Sequence, residues 1–252
     1  RFGQRLRDTP DAAVRAVAES LAVIKTRLAA RGKPLASFLF AGPTGVGKTE
    51  LARALAIHLF GSEQRLVRFD MSEFMDAQAA ERLIRGGDGQ KDGLLTRRLR
   101  REPLSVVLLD EIEKAHQSVF DLLLQALGEG RLTDAAGRTA SLEGAIVILT
   151  SNLGSADKVK RIGISDGSGA AESLAAHYLA AVRKHFAPEM VNRIERIIPF
   201  ASLGPEPLRK ITRLQVERVR KRRGLAQIEL EVSDAALDPR FACVSTTKAF
   251  RT

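Results

Sequence analysis

The run Gly42-Pro43-Thr44-Gly45-Val46-Gly47-Lys48-Thr49 fits the pattern G-x-x-x-x-G-K-[ST] at every fixed position. The chemistry of such a run is phosphate binding. Glycines let backbone N–H groups turn inward around phosphate oxygens without a Cβ in the way. Lys48 would then reach the β- and γ-phosphates, and the Thr49 hydroxyl would ligate Mg²⁺. A nucleoside triphosphate site needs acids as well, and Asp110-Glu111 follows directly on the apolar run Ser105-Val106-Val107-Leu108-Leu109. Asp110 is expected to hold Mg²⁺ through water, and Glu111 to orient and deprotonate the attacking water. Asn152, after a further apolar run, carries an amide that could touch the γ-phosphate and hold that water in line. Ser, Thr and Asn are also common loop starters, so its position alone leaves both readings open. Arg193 is a candidate to stabilise transition-state charge from a neighbouring subunit, although an Arg by itself is usually surface or ion-paired.

These residues need elements to hold them. Ser37-Phe38-Leu39-Phe40-Ala41 reads as a buried strand before the phosphate loop, and Leu51, Ala54, Leu55 and Leu59 recur at helical spacing after it. The loop is thus expected between a strand and the positive N-terminal end of a helix, where phosphate binds. Arg65 to Asp70, Ser105 to Leu109, Ala145 to Thr150 and Arg196 to Phe200 read as further strands. Their alternation with helical patterns predicts an α/β fold with a parallel sheet covered on both faces. An apolar strand ending at Asp110-Glu111 delivers both acids to the carboxyl edge of that sheet, where open α/β folds bind ligand. Arg131 to Thr139 reads as a hairpin turning near Gly137. At the start, Thr9-Pro10 resembles an N-cap followed by a proline at the first helical position, with Val14, Val17, Leu21, Ile24 and Leu28 on one helix face. Arg85 to Gly93 is glycine-rich, has no apolar residue, and is expected to be exposed and mobile. Past Leu203 the character changes to a charged helix (Leu208, Ile211, Leu214, Val219) and then a strand-like alternation from Gln227 to Val232. That break predicts a large domain over 1–202 and a small one over 203–252.

Composition narrows the class. The chain has 252 residues, 44% hydrophobic and 28% charged, as expected of a soluble globular protein. No apolar run is long enough to span a bilayer, and Arg1-Phe2-Gly3-Gln4 lacks the apolar core of a signal peptide. The absence of an initiating Met predicts a segment of a longer protein. The single Cys243 cannot form an internal disulfide, which fits a cytoplasmic location. The net charge of +10 raises the question of nucleic acid. Two clusters carry much of it, Arg97, Arg98, Arg100 and Arg101, then Arg218, Arg220, Lys221, Arg222 and Arg223. Without Trp, and with Tyr178 the single Tyr, aromatic residues for base stacking are scarce, so solvated helix ends are the favoured reading. A helicase of the DEAD or DEAH kind is excluded, because the acids continue as Asp110-Glu111-Ile112-Glu113.

Read together, the phosphate loop, "FDMSEFM", "LLDEIEKAH", "GRLTDAAGRT", "ILTSNLGS" and "FAPEMVNRI" resemble, in this order, the second ATPase module of the Clp unfoldases. The resemblance covers nearly all of residues 36 to 200. It implies a P-loop AAA+ fold of three layers, with a small α-rich lid, and a homo-hexameric ring holding ATP and Mg²⁺ between subunits. It places Gly42 through Thr49 on the nucleotide, Thr49 and Asp110 on the metal side, Glu111 as catalytic acid, Asn152 as first sensor and Arg193 as arginine finger. It implies ATP-driven remodelling of protein substrates. Three features depart from the family. The substrate-gripping loop carries an aromatic, usually in Gly-Tyr-Val-Gly, and Arg85 to Gly93 has none. The second-sensor Arg is replaced by Val244, after a shortened lid helix. Arg5 to Pro10 resembles an insertion in the entry segment. A rival reading is therefore a regulatory or scaffolding ATPase that threads nothing, and a third is an AAA+ protein that handles nucleic acid. Ile162-Gly163-Ile164 falls where the peptidase-partnered members carry a docking tripeptide, which raises a ClpP-like peptidase as a partner, against the plainer reading of an exposed turn.

Overall fold

The computed structural model of the chain describes residues 11–26, 32–85, 93–134, 136–155, 169–203, 208–213 and 216. The chain divides into two compact units, Arg1–Ala201 and Ser202–Thr252. In the second, residues 208–213 are helical, and Thr212 Oγ1 donates to Leu208 O (2.9 Å). The tripeptide Ile162-Gly163-Ile164, the basic cluster 218–223, the alternation 227–232, Cys243 and Val244 lie outside the described residues. So do residues 1–10 and the glycine-rich stretch 86–92.

The first unit is built on five strands: β1 (Ala36–Ala41), β2 (Leu66–Asp70), β3 (Val106–Asp110), β6 (Ile146–Ser151) and β7 (Arg196–Pro199). They pair in the order β2-β3-β6-β1-β7, every pair parallel. The three interior strands are buried along their whole length, which is why they read as unbroken apolar runs rather than alternations. Parallel neighbours need crossovers, and helices supply them. α2 (Lys48–Phe60) follows β1, α3 (Ala79–Arg85) and α4 (Leu94–Arg101) lie between β2 and β3, and α5 (Gln117–Glu129) follows β3. A short antiparallel pair, β4 (Arg131–Thr133) with β5 (Thr139–Ser141), precedes β6. α6 (Gly169–His185) and α7 (Pro188–Arg193) lead into β7, and α1 (Asp11–Thr26) precedes the sheet.

The pleat divides the sheet's side chains between two faces. Leu39, Val107, Leu109, Val147 and Leu149 join one apolar core with Leu83 of α3, Leu95 and Leu99 of α4, Leu123 and Leu127 of α5, and Tyr178 and Val182 of α6. Phe38, Phe40, Leu108, Ile146 and Ile148 point the other way and are fully buried. On that face α2 packs against β2, β3 and β6, and α1 against β7. The chain is thus an α/β structure with a parallel sheet and helices on both faces, as its sequence predicts.

Element ends differ by a residue or two from the sequence reading, and one difference matters. β3 runs through Asp110, which pairs in register with Asp70 at the end of β2. The ladder therefore fixes the backbone of Asp110. The basic cluster of α4 also differs from a wholly solvated helix end. Arg100 turns inward, and its Nη1 donates to Asp134 Oδ2 at 2.7 Å.

Candidate active site

The phosphate loop begins where β1 leaves the sheet. Gly42 N donates to Ser151 O at 3.0 Å, tying the loop's first residue to the end of β6. A Cβ on Gly42 would come within 2.5 Å of Phe200 O and 2.7 Å of Phe200 Cβ. Glycine is required here by the close approach of the chain after β7, independently of any phosphate. Gly45 and Gly47 have φ of 81° and 94°, left-handed values that other residues adopt at a cost. Gly47 is the N-cap of α2, so Lys48 and Thr49 open that helix with its free N–H groups turned toward the loop. Val46 is buried and anchors the loop from beneath, while Thr44 and Gly45 are exposed at its tip.

Lys48 is 8% exposed. Its Nζ donates to Gly42 O (2.5 Å), Pro43 O (2.9 Å) and Asn152 Oδ1 (2.7 Å). Burial lowers its pKa to about 8, against the opposing pull of Glu113, Asp110 and Glu111. The same amide of Asn152 donates through Nδ2 to Glu111 Oε1 at 3.1 Å. Lysine only donates and a carboxylate only accepts, so the amide orientation is dictated by its two neighbours. Asn152 thereby bridges the lysine of the phosphate loop and the acid that follows β3.

Asp110 closes the other side. Its Oδ1 accepts from Thr150 Oγ1 (2.5 Å), and its Oδ2 from Arg68 Nη2 (2.6 Å) and Thr49 Oγ1 (3.4 Å). Thr49, in the first turn of α2, and Asp110, at the end of β3, thus converge on one point. A hydroxyl beside a carboxylate is an all-oxygen donor pair that suits Mg²⁺ together with phosphate oxygens and water. Glu111 is the one non-glycine residue with positive φ among the described residues (57°). Strain of that kind concentrates at functional sites, and here it falls at the residue where β3 gives way to the next turn. Glu111 N donates to Thr150 Oγ1 (3.0 Å), and Glu111 Oε2 pairs with Lys114 Nζ (2.5 Å). That hydrogen bond and charge raise the pKa of Lys114.

The eight loop residues Gly42 to Thr49, with Asp110, Glu111 and Asn152, are expected from the sequence to serve phosphate, metal or water chemistry, and all lie at the carboxyl edge of the sheet. Gly42 also has the steric role given above. Arg193 does not lie at this edge. Its backbone O accepts from Ser37 Oγ (2.9 Å) near the start of β1. Gly42 lies five residue steps from Ser37, about 17 Å along the sheet. The Arg193 side chain is exposed and lies over α5, where a Cβ on Gly128 would come within 2.8 Å of its Nη1.

Four residues of the site escaped the sequence reading. Thr150 holds both Asp110 and the backbone of Glu111, and Arg68 pairs with Asp110. Lys114 pairs with Glu111. Glu113 Oε1 accepts from Asn152 N at 2.9 Å, while its Oε2 is buried without a hydrogen-bond partner. A hydroxyl two residues before Asn152, and charges at Glu113 and Lys114 close behind the paired acids, were the available signals.

This arrangement defines a P-loop nucleotide-binding module, and comparison with known proteins places it more closely. The family model for the AAA domain (Cdc48 subfamily) matches residues 33–197. The chain is 46% identical over 230 residues to the chaperone protein ClpB of Gloeobacter violaceus, covering 90% of this chain and 26% of that protein. It is 44% identical over 230 residues to the chloroplastic chaperone protein ClpB3 of Arabidopsis thaliana, with 90% and 24% covered. With the probable chaperone protein ClpB 1 of Chlorobaculum tepidum it shares 43% identity over 234 residues, with 90% and 53% covered. The chain belongs to the AAA domain family, as an ATPase module of Clp type. It spans about a quarter of the length of the first two of these relatives.

Proposed function

We propose that this module binds ATP with Mg²⁺ and hydrolyses it to drive remodelling of protein substrates, as part of a homo-hexameric ring. The observation that carries the reading is the bridge Lys48–Asn152–Glu111, which links the phosphate side of the site to the water side. In this reading the N–H groups from Gly42 to Lys48 cradle the phosphates. The Lys48 ammonium leaves the loop carbonyls it now occupies for the β- and γ-oxygens. Thr49 and Asp110 hold Mg²⁺, which when bound offsets phosphate charge. Asn152 holds the attacking water in line, and Glu111 takes its proton. Arg193 reaches the γ-phosphate of a neighbouring subunit, since within its own chain it lies at the opposite edge of the sheet.

The chaperone names of the relatives, and the Clp-type order of motifs, support protein remodelling. The absence of an aromatic between Arg85 and Gly93 supports the rival reading, a ring that assembles and hydrolyses ATP without threading a substrate. Docking of a ClpP-like peptidase rests on Ile162-Gly163-Ile164 alone. For nucleic acid, the inward pairing of Arg100 removes part of the basic patch that suggested it. No helix among the described residues is long and apolar enough to cross a membrane, and a cytoplasmic location rests on the sequence reading above.

Glu111→Gln tests the assignment. The amide keeps the shape of the carboxylate and cannot accept the water's proton, so the variant should bind ATP as the wild type does and turn over at least about 10²-fold more slowly. Equal turnover in the two proteins, measured as phosphate release, would remove Glu111 from this role.

A further inference from the structure

Resting on the Mg²⁺–ATP reading of this site, we propose that Arg68 is an exchangeable counter-ion that holds Asp110 in the metal-free protein and must yield when Mg²⁺ enters. Arg68 stands on the edge strand β2, in register with Leu108 of β3. Its guanidinium reaches two residues along the neighbouring strand to Asp110, the carboxylate that would face the metal. The oxygen it takes, Oδ2, is the same one that Thr49 Oγ1 approaches. Oδ1 is already committed to Thr150. A divalent cation drawn to Thr49 and Asp110, directly or through water, therefore meets a positive charge on the oxygen it needs.

Arg68 and Thr49 already approach both lone pairs of Oδ2, so an entering cation competes with a donor there, and the like charges of cation and guanidinium add to the conflict. Asp110 is the fixed partner. Its side chain is 11% exposed, its backbone lies in the β2–β3 ladder, and Thr150 holds its other oxygen. Arg68 is the movable one, with its side chain 49% exposed at the sheet edge, so its guanidinium can swing toward water at small cost. Asp70, held by Ser72 N and Oγ at the end of the same strand, lies within electrostatic reach of Arg68 and offers a second acid to turn to. Without metal, the guanidinium keeps a nearly buried carboxylate from standing unpaired, which would be costly. With metal, the displaced pair sets a threshold that Mg²⁺ must exceed. Arg68 is thus a positioning residue for the metal side of the site, acting through Asp110.

The test measures the free Mg²⁺ concentration at half-maximal binding of a fluorescent ATP analogue to the whole chain, with Mg²⁺ set by a chelator buffer. Arg68→Gln removes the competing charge and should lower that concentration roughly threefold, the range expected for a half-exposed pair. Arg68→Lys keeps the charge but loses the planar guanidinium and part of the reach, and should lower it by less. Half-points equal to or above that of the wild type in both variants would overturn the proposal, making Arg68 a fixed support of Asp110. A half-point lower in Arg68→Lys than in Arg68→Gln would also overturn it, because the charge at this position would then not be what competes with Mg²⁺. Failure of the wild type to bind the analogue with any Mg²⁺ dependence would instead overturn the nucleotide reading itself, and this proposal with it.

Discussion

Lys48 carries its charge where burial disfavours it, with a pKa lowered to about 8 and three oxygens around the ammonium. A bound triphosphate would add negative charge and favour the protonated form. Below pH 8 the free protein already holds that proton, so nucleotide binding takes up none. Above pH 8 the amine of the free protein is neutral, and binding must recruit a proton from solvent. Affinity is therefore expected to fall as pH rises beyond about 8, by up to about tenfold per unit. Calorimetry in buffers of different ionisation enthalpy should register this proton uptake. The same lowered value means that the folded state binds fewer protons than the unfolded chain at high pH. Lys48 therefore adds to stability as pH rises from 8 toward its ordinary 10.5. A pH-independent affinity through that range would place the ammonium away from the phosphates. The lysine and its loop were legible in the sequence because they are contiguous, whereas the three oxygens holding the ammonium include one from a residue 104 positions away.

The β4–β5 hairpin is pinned by one buried acid. Asp134, whose side chain is fully buried, accepts from Arg100 Nη1 (2.7 Å) and Arg138 Nε (3.0 Å), and from the backbone N–H groups of Ala136 and Arg138 (2.9 Å each). Burial alone would raise its pKa. The hydrogen bonds from Arg138, Arg100 and Ala136 outweigh that and lower it. The turn near Gly137 was readable from sequence, with Gly137 at φ 75°. The tie between the hairpin and α4 was not, since Arg100 and Asp134 are 34 positions apart. Asp134→Asn should lower the melting temperature and speed amide exchange across 131–141, because two guanidinium groups lose their counter-charge. The sign of the pH effect follows from the lowered pKa. This acid's contribution is complete above the ordinary aspartate range and is lost as pH falls through the folded value, so the gap between variant and wild type should close in acid. A gap that persists unchanged in acid would assign the effect to packing rather than charge.

At the scale of the molecule, the proposed ring gives Arg193 a role between subunits. Its backbone stands near the start of β1, at the edge of the sheet opposite its own phosphate loop, where in the proposed ring it would serve the ATP of a neighbouring subunit. Arg193→Ala should cut turnover by roughly 10³-fold, about 4 kcal/mol of barrier, with nucleotide binding by each subunit kept. Mixing Arg193→Ala subunits with Glu111→Gln subunits should restore part of the activity. Where a Glu111→Gln subunit faces an Arg193→Ala subunit, the first supplies an intact Arg193 and the second an intact Glu111. Mixed rings without recovery of phosphate release would show that the finger is another residue.

Alone, the sequence determined what is local. A glycine-rich loop between a strand and a helix, an apolar strand ending in two acids, and a strand ending near an asparagine are each contiguous. Their periodicity reports burial and element type directly. Strand order is different in kind, because it depends on which long-range pairings bury the most surface, and β1, β3 and β6 carry similar apolar runs. Only the tertiary structure set β3 between β2 and β6, and that placement alone lets Arg68 and Thr150 reach the same carboxylate from opposite sides. It likewise separated Arg193 from Lys48, because β7 runs parallel to β1 and the helix before it therefore ends at the edge where β1 begins.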